Sequence, residues 1–148
     1  MTLLTANIFA YVTASDKGGW GVPVCNATTS CSYNPKDCKK ALKAFFTNSS
    51  GVYTSHNGNV EGSAYLDFDK KHYNTCTVGI GNNVNGCQAH REYFLKGGYK
   101  HPNASLHGLL KTCAPKQQCG SVSLLPDPSL HQPGLRCRWV IEVVQNQS

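Results

Sequence analysis

The chain has 148 residues, with 14 lysine and arginine residues against 8 aspartate and glutamate residues and a formal net charge of +6. This length suits one domain with its own apolar core and is too short for two domains of ordinary size. No apolar run reaches the roughly 18–20 residues that a membrane-spanning helix needs, so we do not expect an integral membrane protein.

The start of the chain has two interpretations. Residues 1–14 resemble the end of a signal peptide, although a basic beginning is missing, and residues 7–13 would also suit a first β-strand. Residues 15–148 are predicted to form a single disulfide-rich domain. Within it, residues 15–33 contain three glycines, one proline and two cysteines. This composition predicts a cross-linked, turn-rich segment without regular structure.

A first helix is predicted over residues 35–47, with Asn34 as the N-cap and Pro35 in the first turn. Its apolar residues recur at helical spacing and form one stripe, made of Cys38, Ala41, Leu42 and Phe45. The other side and its flank carry four lysines, Lys36, Lys39, Lys40 and Lys43. A lysine face of this kind is usually only solvated, but it is also a candidate contact surface for an anionic partner.

Antiparallel strands are predicted to follow this helix. Residues 52–55 and 60–68 are expected to form a β-hairpin around an Asn-Gly turn. A third strand is expected over residues 72–80, after a connection that contains Lys70 and Lys71. Together these segments predict a β-meander.

The second half of the chain predicts two more helices and two more strands. The helices are expected over residues 85–95 and 104–113, and the strands over residues 120–124 and 135–144. Apolar and polar residues alternate most clearly in the last strand, which we therefore place near the centre of the sheet. The pattern predicts an α+β fold, a disulfide-stapled α/β sandwich in which an antiparallel sheet of four to six strands carries two or three helices on one face.

Eight cysteines without any C-x-x-C spacing predict four structural disulfides, although counting alone leaves 105 pairings open. Disulfides form in oxidising compartments, which favours a secreted, extracellular protein. Four N-x-[S/T] sequons support the same compartment and are candidate glycosylation sites, at Asn26, Asn48, Asn103 and Asn146.

Catalytic motifs are not evident. The six histidines lack the spacing of a metal site, the Asp67/Asp69 pair is most simply solvated, and no cofactor motif is present. A small secreted ribonuclease is one alternative, because such enzymes pair a histidine or glutamate base with a cation at the phosphate. The candidate residues for that set are Glu61, Arg91, Arg136 and Arg138 with His72 or His131. Their spacing selects none of them.

A carbohydrate-binding or cell-wall-binding module is the other alternative. It would be favoured if exposed aromatic residues formed one flat platform, and the candidates are Trp20, Tyr93 and Tyr99. The positive net charge alone does not choose among polysaccharide, membrane surface and nucleic acid as partners.

Several cysteine segments follow one another in a recognisable order: Cys25-x5-Cys31, Asn74-Thr-Cys76, Asn85-Gly-Cys87, Cys113, and Cys119-Gly-Ser121 running on to Gly134-Leu135. Taken together, they resemble the smut-fungus killer toxin family and its relatives among secreted fungal effectors, over about residues 24–144. A neighbouring resemblance, to the fungal necrosis-inducing effector family, rests on Asp37-Cys38 and on residues 73–79. This chain differs from the killer toxin pattern in lacking one cysteine pair and in having a long insertion between Cys87 and Cys113.

The resemblance implies an α/β sandwich that acts as a non-enzymatic toxin or effector, without a metal or a cofactor. It also implies one disulfide pairing, Cys25–Cys113, Cys31–Cys119, Cys38–Cys76 and Cys87–Cys137. In the killer toxin, the proposed action is inhibition of calcium uptake at target-cell channels through exposed basic side chains.

By the same resemblance, exposed lysines are expected to contact the target. The candidates are Lys36, Lys39, Lys40 and Lys43 on the first helix and Lys70 and Lys71 in the connection before the third strand. The expected partner is a target-cell surface or membrane protein, such as a calcium channel, or a cell-wall polysaccharide. Nucleic acid is not expected, and the protein is expected to be a monomer.

Overall fold

The computed structural model describes residues 21–55, 68–130, 132 and 137–146, and three α-helices and seven strands lie within these ranges. In chain order the elements are β1 (Val24–Ser30), α1 (Pro35–Lys43), β2 (Val52–Thr54), β3 (Asp69–Tyr73), β4 (Cys76–Asn82), β5 (Gln88–His90), α2 (Arg91–Lys96), α3 (Leu106–Cys113), a 3-10 turn (Ala114–Lys116), β6 (Gln118–Leu124) and β7 (Trp139–Gln145).

Five strands form an antiparallel sheet in the order β1-β6-β7-β4-β3, and β2 pairs with β5 in a separate two-stranded sheet. The predicted α+β class with four disulfides is therefore confirmed. The last strand lies at the centre of the large sheet, as its alternation predicts. Trp139, Ile141 and Val143 are fully buried there and point to the same side.

The core lies between the helices and one face of the large sheet. Helix α1 contributes Leu42 to it, α2 contributes Phe94, and α3 contributes Leu109. Phe94 packs edge-on against Trp139 of β7, with ring centroids 4.9 Å apart. Each large apolar side chain buried in this way contributes roughly 1.5–3 kcal/mol, so this layer holds the helices on the sheet.

Four disulfides tie the helices and the outer strands to the sheet. They join Cys25 to Cys113, Cys31 to Cys119, Cys38 to Cys76 and Cys87 to Cys137. These are the four pairs that the resemblance implies. In the chain-entropy model, each long loop closed in this way contributes about 3–5 kcal/mol.

Two expected segments differ from the structure because tertiary pairing overrides local signals. The segment after Pro23 is a strand, β1, since it pairs with β6, with a register shift between Cys25 and Ser30, and is anchored by a disulfide at Cys25. The single strand expected over residues 72–80 is a hairpin of β3 and β4. Asn74 has a left-handed φ of 49°, which turns the chain between the two strands.

The helix expected over residues 85–95 begins only at Arg91, because the preceding residues form β5. Strand β2 pairs with β5, a partner that the expected meander did not include. Residues 56–67, which contain the expected Asn-Gly turn, lie outside the described residues, as do residues 1–20 with both interpretations of the start of the chain.

Candidate functional site

Helix α1 presents its four lysines to solvent. Asn34 caps the helix, since its side-chain oxygen accepts a hydrogen bond from the Lys36 amide at 2.9 Å. Cys38, Ala41 and Leu42 face the core, so the other side of the helix faces outward. It exposes Lys36, Lys39, Lys40 and Lys43.

Lys70 and Lys71 lie inside strand β3, so their expected position in a connection is wrong. Neighbouring residues of a strand point to opposite faces of the sheet. Lys71 stands opposite Val78, whose side chain is in the helix-covered core, whereas Lys70 stands opposite Gly79. The two lysines therefore do not form one patch, and only Lys71 lies on the face that α1 covers.

Tyr73 connects the helix lysines with strand β3. The Lys40 ammonium lies 4.9 Å from the centroid of the Tyr73 ring, and 45% of Tyr73 is exposed. A cation at this distance from an aromatic ring is attracted by the ring face. We call the surface that these side chains form the lysine–tyrosine face, and it consists of Lys36, Lys39, Lys40, Lys43, Lys71 and Tyr73.

The start of α1 is fixed to the turn between β3 and β4. The Asp37 carboxylate accepts hydrogen bonds from the Thr75 hydroxyl at 2.7 Å and the Thr75 amide at 3.2 Å. The bond from the Thr75 hydroxyl is the main reason why the pKa of Asp37 lies below its ordinary value. The disulfide between Cys38 and Cys76 lies beside this contact. Helix α1, which carries most of the lysine–tyrosine face, is therefore fixed to the β3–β4 turn by hydrogen bonds and a disulfide.

The two acidic side chains of α1 and β3 are both engaged within the protein. Asp37 is buried and bound by Thr75, and Asp69 accepts a hydrogen bond from the buried Tyr53 hydroxyl. Neither carboxylate is presented to a partner in the way that the exposed lysines are. The surface that the two elements offer is therefore strongly positive.

On the other face of the large sheet, Lys70 lies near Glu142. Both residues stand opposite Gly79, on its two neighbouring strands. A methyl group at Gly79 would lie 2.8 Å from Cγ of Glu142, so the glycine leaves room for the glutamate side chain. Burial raises the pKa of Glu142, and the charge of Lys70 opposes this rise. The charge of Lys70 therefore interacts with an acid on this face of the sheet.

Sequence reasoning missed a second polar cluster, formed by His90, Asp127 and Ser129. The His90 ring nitrogen Nδ1 lies 3.2 Å from the Asp127 carboxylate, which also accepts the His90 amide at 2.9 Å and the Ser129 hydroxyl at 2.7 Å. Asp127 is buried, which acts to raise its pKa, but these hydrogen bonds outweigh burial and hold the pKa below its ordinary value. The same Nδ1 atom lies 3.1 Å from the Ser129 hydroxyl, so the cluster fixes the orientation of the His90 ring.

The expected ribonuclease residues are not brought together in the part of the chain that the structure describes. His72 is exposed on β3, whereas Arg91 lies in α2, where its guanidinium is 3.6 Å from Glu92. Arg138 precedes β7. Glu61, His131 and Arg136 lie outside the described residues. Among the residues described, no group of three histidine, cysteine or acidic side chains could hold a metal ion.

The aromatic residues proposed for a sugar platform do not share one role. The Tyr93 hydroxyl donates to the Leu125 carbonyl at 2.6 Å, while Tyr99 is 98% exposed. Trp20 lies outside the described residues. The exposed aromatic ring on the lysine–tyrosine face, Tyr73, was not among the residues proposed for sugar binding.

The four sequons differ in accessibility. Asn26 is only 5% exposed, and its side-chain oxygen accepts the Thr28 amide at 3.0 Å. Asn146 is half-buried, and its side-chain amide donates to the Asn74 carbonyl at 2.7 Å. Asn48 and Asn103 are exposed, so by accessibility the folded protein presents these two for a glycan, although the Asn48 side-chain amide donates to the Val52 carbonyl at 3.1 Å.

No family model matches the chain, and comparisons with curated proteins and with solved structures find no significant match. The resemblance to the killer toxin family therefore stays a prediction that rests on the cysteine segments. Four disulfides fit an extracellular protein. None of the helices in the described ranges is long and apolar enough to cross a membrane.

Proposed function

We propose that this protein is a secreted, non-enzymatic toxin or effector of the killer-toxin-like type, which acts on target cells by binding an anionic group on their surface. The lysine–tyrosine face is the contact surface. The candidates for the bearer of this anionic group are an ion channel, such as a calcium channel, which the resemblance suggests, and a cell-wall polysaccharide. The observation that carries the proposal is the exposure of five lysines on two elements whose acidic side chains are engaged internally.

The positive charge of this surface attracts an anionic partner from a distance and binds it at contact. A single-sign cluster raises the local concentration of an oppositely charged partner and speeds its association, and salt weakens both effects. The Cys38–Cys76 disulfide and the contact between Asp37 and Thr75 fix α1 against the β3–β4 turn. A partner therefore meets lysines on a preformed surface, with less conformational entropy lost on binding.

Charge reversal tests the proposal. In one variant Lys36, Lys40 and Lys43 are changed to glutamate, and in a matched control three exposed lysines elsewhere are changed in the same way, Lys100, Lys111 and Lys116. Both variants lower the net charge equally. Each exposed substitution should change the free energy of unfolding by less than about 0.5 kcal/mol, except that Lys40→Glu also loses the contact with Tyr73, worth about 0.5–1 kcal/mol. Both proteins should therefore fold with native disulfides.

The assays are growth inhibition of fungal cells and necrosis in plant leaves. We expect the face variant to lose most of the activity and the control to keep it, with wild-type activity falling as salt rises. Equal activity of both variants and the wild type would refute the lysine–tyrosine face as the contact surface. An equal loss in both variants would show that net charge, and not this face, is responsible.

A small secreted ribonuclease is a second candidate, favoured by the orientation of His90 on Asp127. A base held by a buried carboxylate is typical of general-base sites, and Arg91 follows His90 in the sequence. The test is cleavage of RNA by the purified protein, by His90→Ala and by the control His107→Ala, which alters an exposed helix residue. RNA cleavage that is lost only with His90→Ala would replace the non-enzymatic proposal.

A further inference from the structure

We infer that the anionic group bound by the lysine–tyrosine face is an acidic polysaccharide of the target cell wall, with Tyr73 as the stacking platform for a sugar ring. This inference rests on the proposed function and names the partner of the same face. It depends on the position of Tyr73, a half-exposed aromatic ring among lysines.

The chemistry of the face matches a chain of acidic sugars. A pyranose ring has an apolar side that packs on an aromatic ring, while its carboxylate needs a cation beside that ring. Tyr73 supplies the ring. The Lys40 ammonium lies over one face of this ring, 4.9 Å from its centroid, so a sugar would pack on the other face with the cation close by. Lys71 is two residues from Tyr73 on β3 and points to the same side of the sheet.

The helix lysines extend the site beyond one sugar. Lys36 and Lys43 are seven residues apart on the outer side of α1, which corresponds to about 10 Å along the helix axis. Successive acidic groups of an extended polymer can therefore be bound at the same time. Each single contact of this type is weak, and affinity comes from several contacts on one chain.

A membrane surface is a less suitable partner for the lysine–tyrosine face than an acidic polysaccharide. Helices that bind at a membrane interface insert an apolar side between lipids. The apolar side of α1 is buried in the core through Cys38, Ala41 and Leu42. Tyr73 is the only large exposed apolar side chain on the face among the described residues. The face thus offers charge and one ring, without a surface that could enter the lipid.

The experiment measures binding of the full chain to polygalacturonate, by titration calorimetry over a series of salt concentrations. The other samples are a neutral β-glucan, vesicles of phosphatidylcholine with phosphatidylserine, and poly(U). We expect binding to polygalacturonate that weakens with salt, and at least about tenfold weaker binding to the other three.

Variants separate stacking from charge. Tyr73→Ala should weaken binding to polygalacturonate about tenfold with an unchanged salt dependence, because a ring and no charge is lost. Tyr73→Phe should bind like the wild type, and so should Tyr99→Ala, which removes an exposed tyrosine outside the face. Lys36→Glu with Lys43→Glu should reduce the salt dependence.

Three results would overturn the inference: equal affinity of Tyr73→Ala and the wild type, equal or tighter binding to the vesicles or to poly(U), and no binding to polygalacturonate. If one of these occurs while charge reversal still abolishes growth inhibition, the inference fails and the proposed function stands. If polygalacturonate binding follows the predicted pattern while charge reversal leaves growth inhibition intact, the proposed function fails instead.

Discussion

Gly108 provides a test of the packing of helix α3. For Gly108→Ala, helix propensity predicts a more stable protein, whereas the tertiary contacts predict a less stable one. In the interior of a helix, a change from glycine to alanine normally stabilises the protein by about 1 kcal/mol, and Gly108, in the first turn of α3, would gain at most this amount. In this fold, the new methyl carbon would lie 2.3 Å from the Asn103 carbonyl oxygen and 2.5 Å from the Asn103 Cα atom. Backbone atoms cannot rotate away, so the segment before α3 must shift.

The shift also disturbs the start of the helix. The Gly108 amide donates a hydrogen bond of 3.0 Å to the hydroxyl of Ser105, the N-cap residue. Overpacking lowers the free energy of unfolding by about 1–3 kcal/mol, and a weakened cap lowers it by about 1 kcal/mol. Together these losses exceed the gain of about 1 kcal/mol from helix propensity. We therefore expect Gly108→Ala to lower the free energy of unfolding by about 1–3 kcal/mol and Tm by about 2–10 °C.

Equilibrium unfolding in guanidinium chloride, with the disulfides intact, measures this change. The control is His107→Ala, which alters the adjacent, exposed position of the same helix and should leave stability unchanged or raise it by about 0.5 kcal/mol. A Gly108→Ala protein as stable as the wild type, or more stable, would show that the close approach of Asn103 does not constrain this helix.

Three further predictions concern single side chains. Burial raises the pKa of Glu142 in the folded protein, so the wild type loses stability as pH rises through that pKa. We therefore expect Glu142→Gln to raise Tm at pH 7. Below the pKa of the carboxyl in the unfolded chain, the substitution should have little effect on Tm. Equal Tm values of the two proteins at pH 7 would contradict this. The pKa of Asp127 is lowered, so its stabilisation exists above the unfolded pKa and is lost as pH falls through the folded pKa. In urea unfolding, Asp127→Ala should therefore lower the free energy of unfolding by about 2 kcal/mol at pH 7 and by less in acid. Ser129→Ala removes only one hydrogen bond to that carboxylate and should lower the free energy of unfolding by about 1 kcal/mol. Equal losses in the two variants would argue against the carboxylate as the shared acceptor. In protein secreted from a eukaryotic host, Asn48→Gln should remove the mass of one glycan, as measured by mass spectrometry. Asn26→Gln should leave the glycan mass unchanged, because Asn26 is buried. The opposite pattern would refute the assignment from accessibility.

Local signals were enough to predict the elements whose structure depends on neighbouring residues. The cap at Asn34 and the proline after it place the start of α1, and the helical spacing of Cys38, Ala41 and Leu42 identifies its buried side. The alternation around Ile141 likewise identifies β7 as a central strand. In these segments the hydrophobic pattern and the backbone preference agree, so the tertiary structure reinforces them.

The candidate site could be predicted only in part from the sequence. Helical periodicity placed the α1 lysines on one exposed side, but it could not show that Tyr73 would lie against Lys40, because that contact depends on how α1 crosses β3. The bond between His90 and Asp127 joins residues 37 positions apart, and no local pattern specifies it.

Residue patterns alone therefore establish the α+β class, the start of the first helix, the central strand and the disulfide-rich character of this protein. The first helix ends at Lys43, before the expected residue 47. Long-range pairing was needed to establish that residues 24–30 form a strand, that Asn74 turns the chain between β3 and β4, and that Lys70 and Lys71 point to opposite faces. The physical reason is that strands are stabilised by partners distant in sequence. A shift of one residue in strand register reverses the face of every side chain, and the sequence of a single strand does not contain its register.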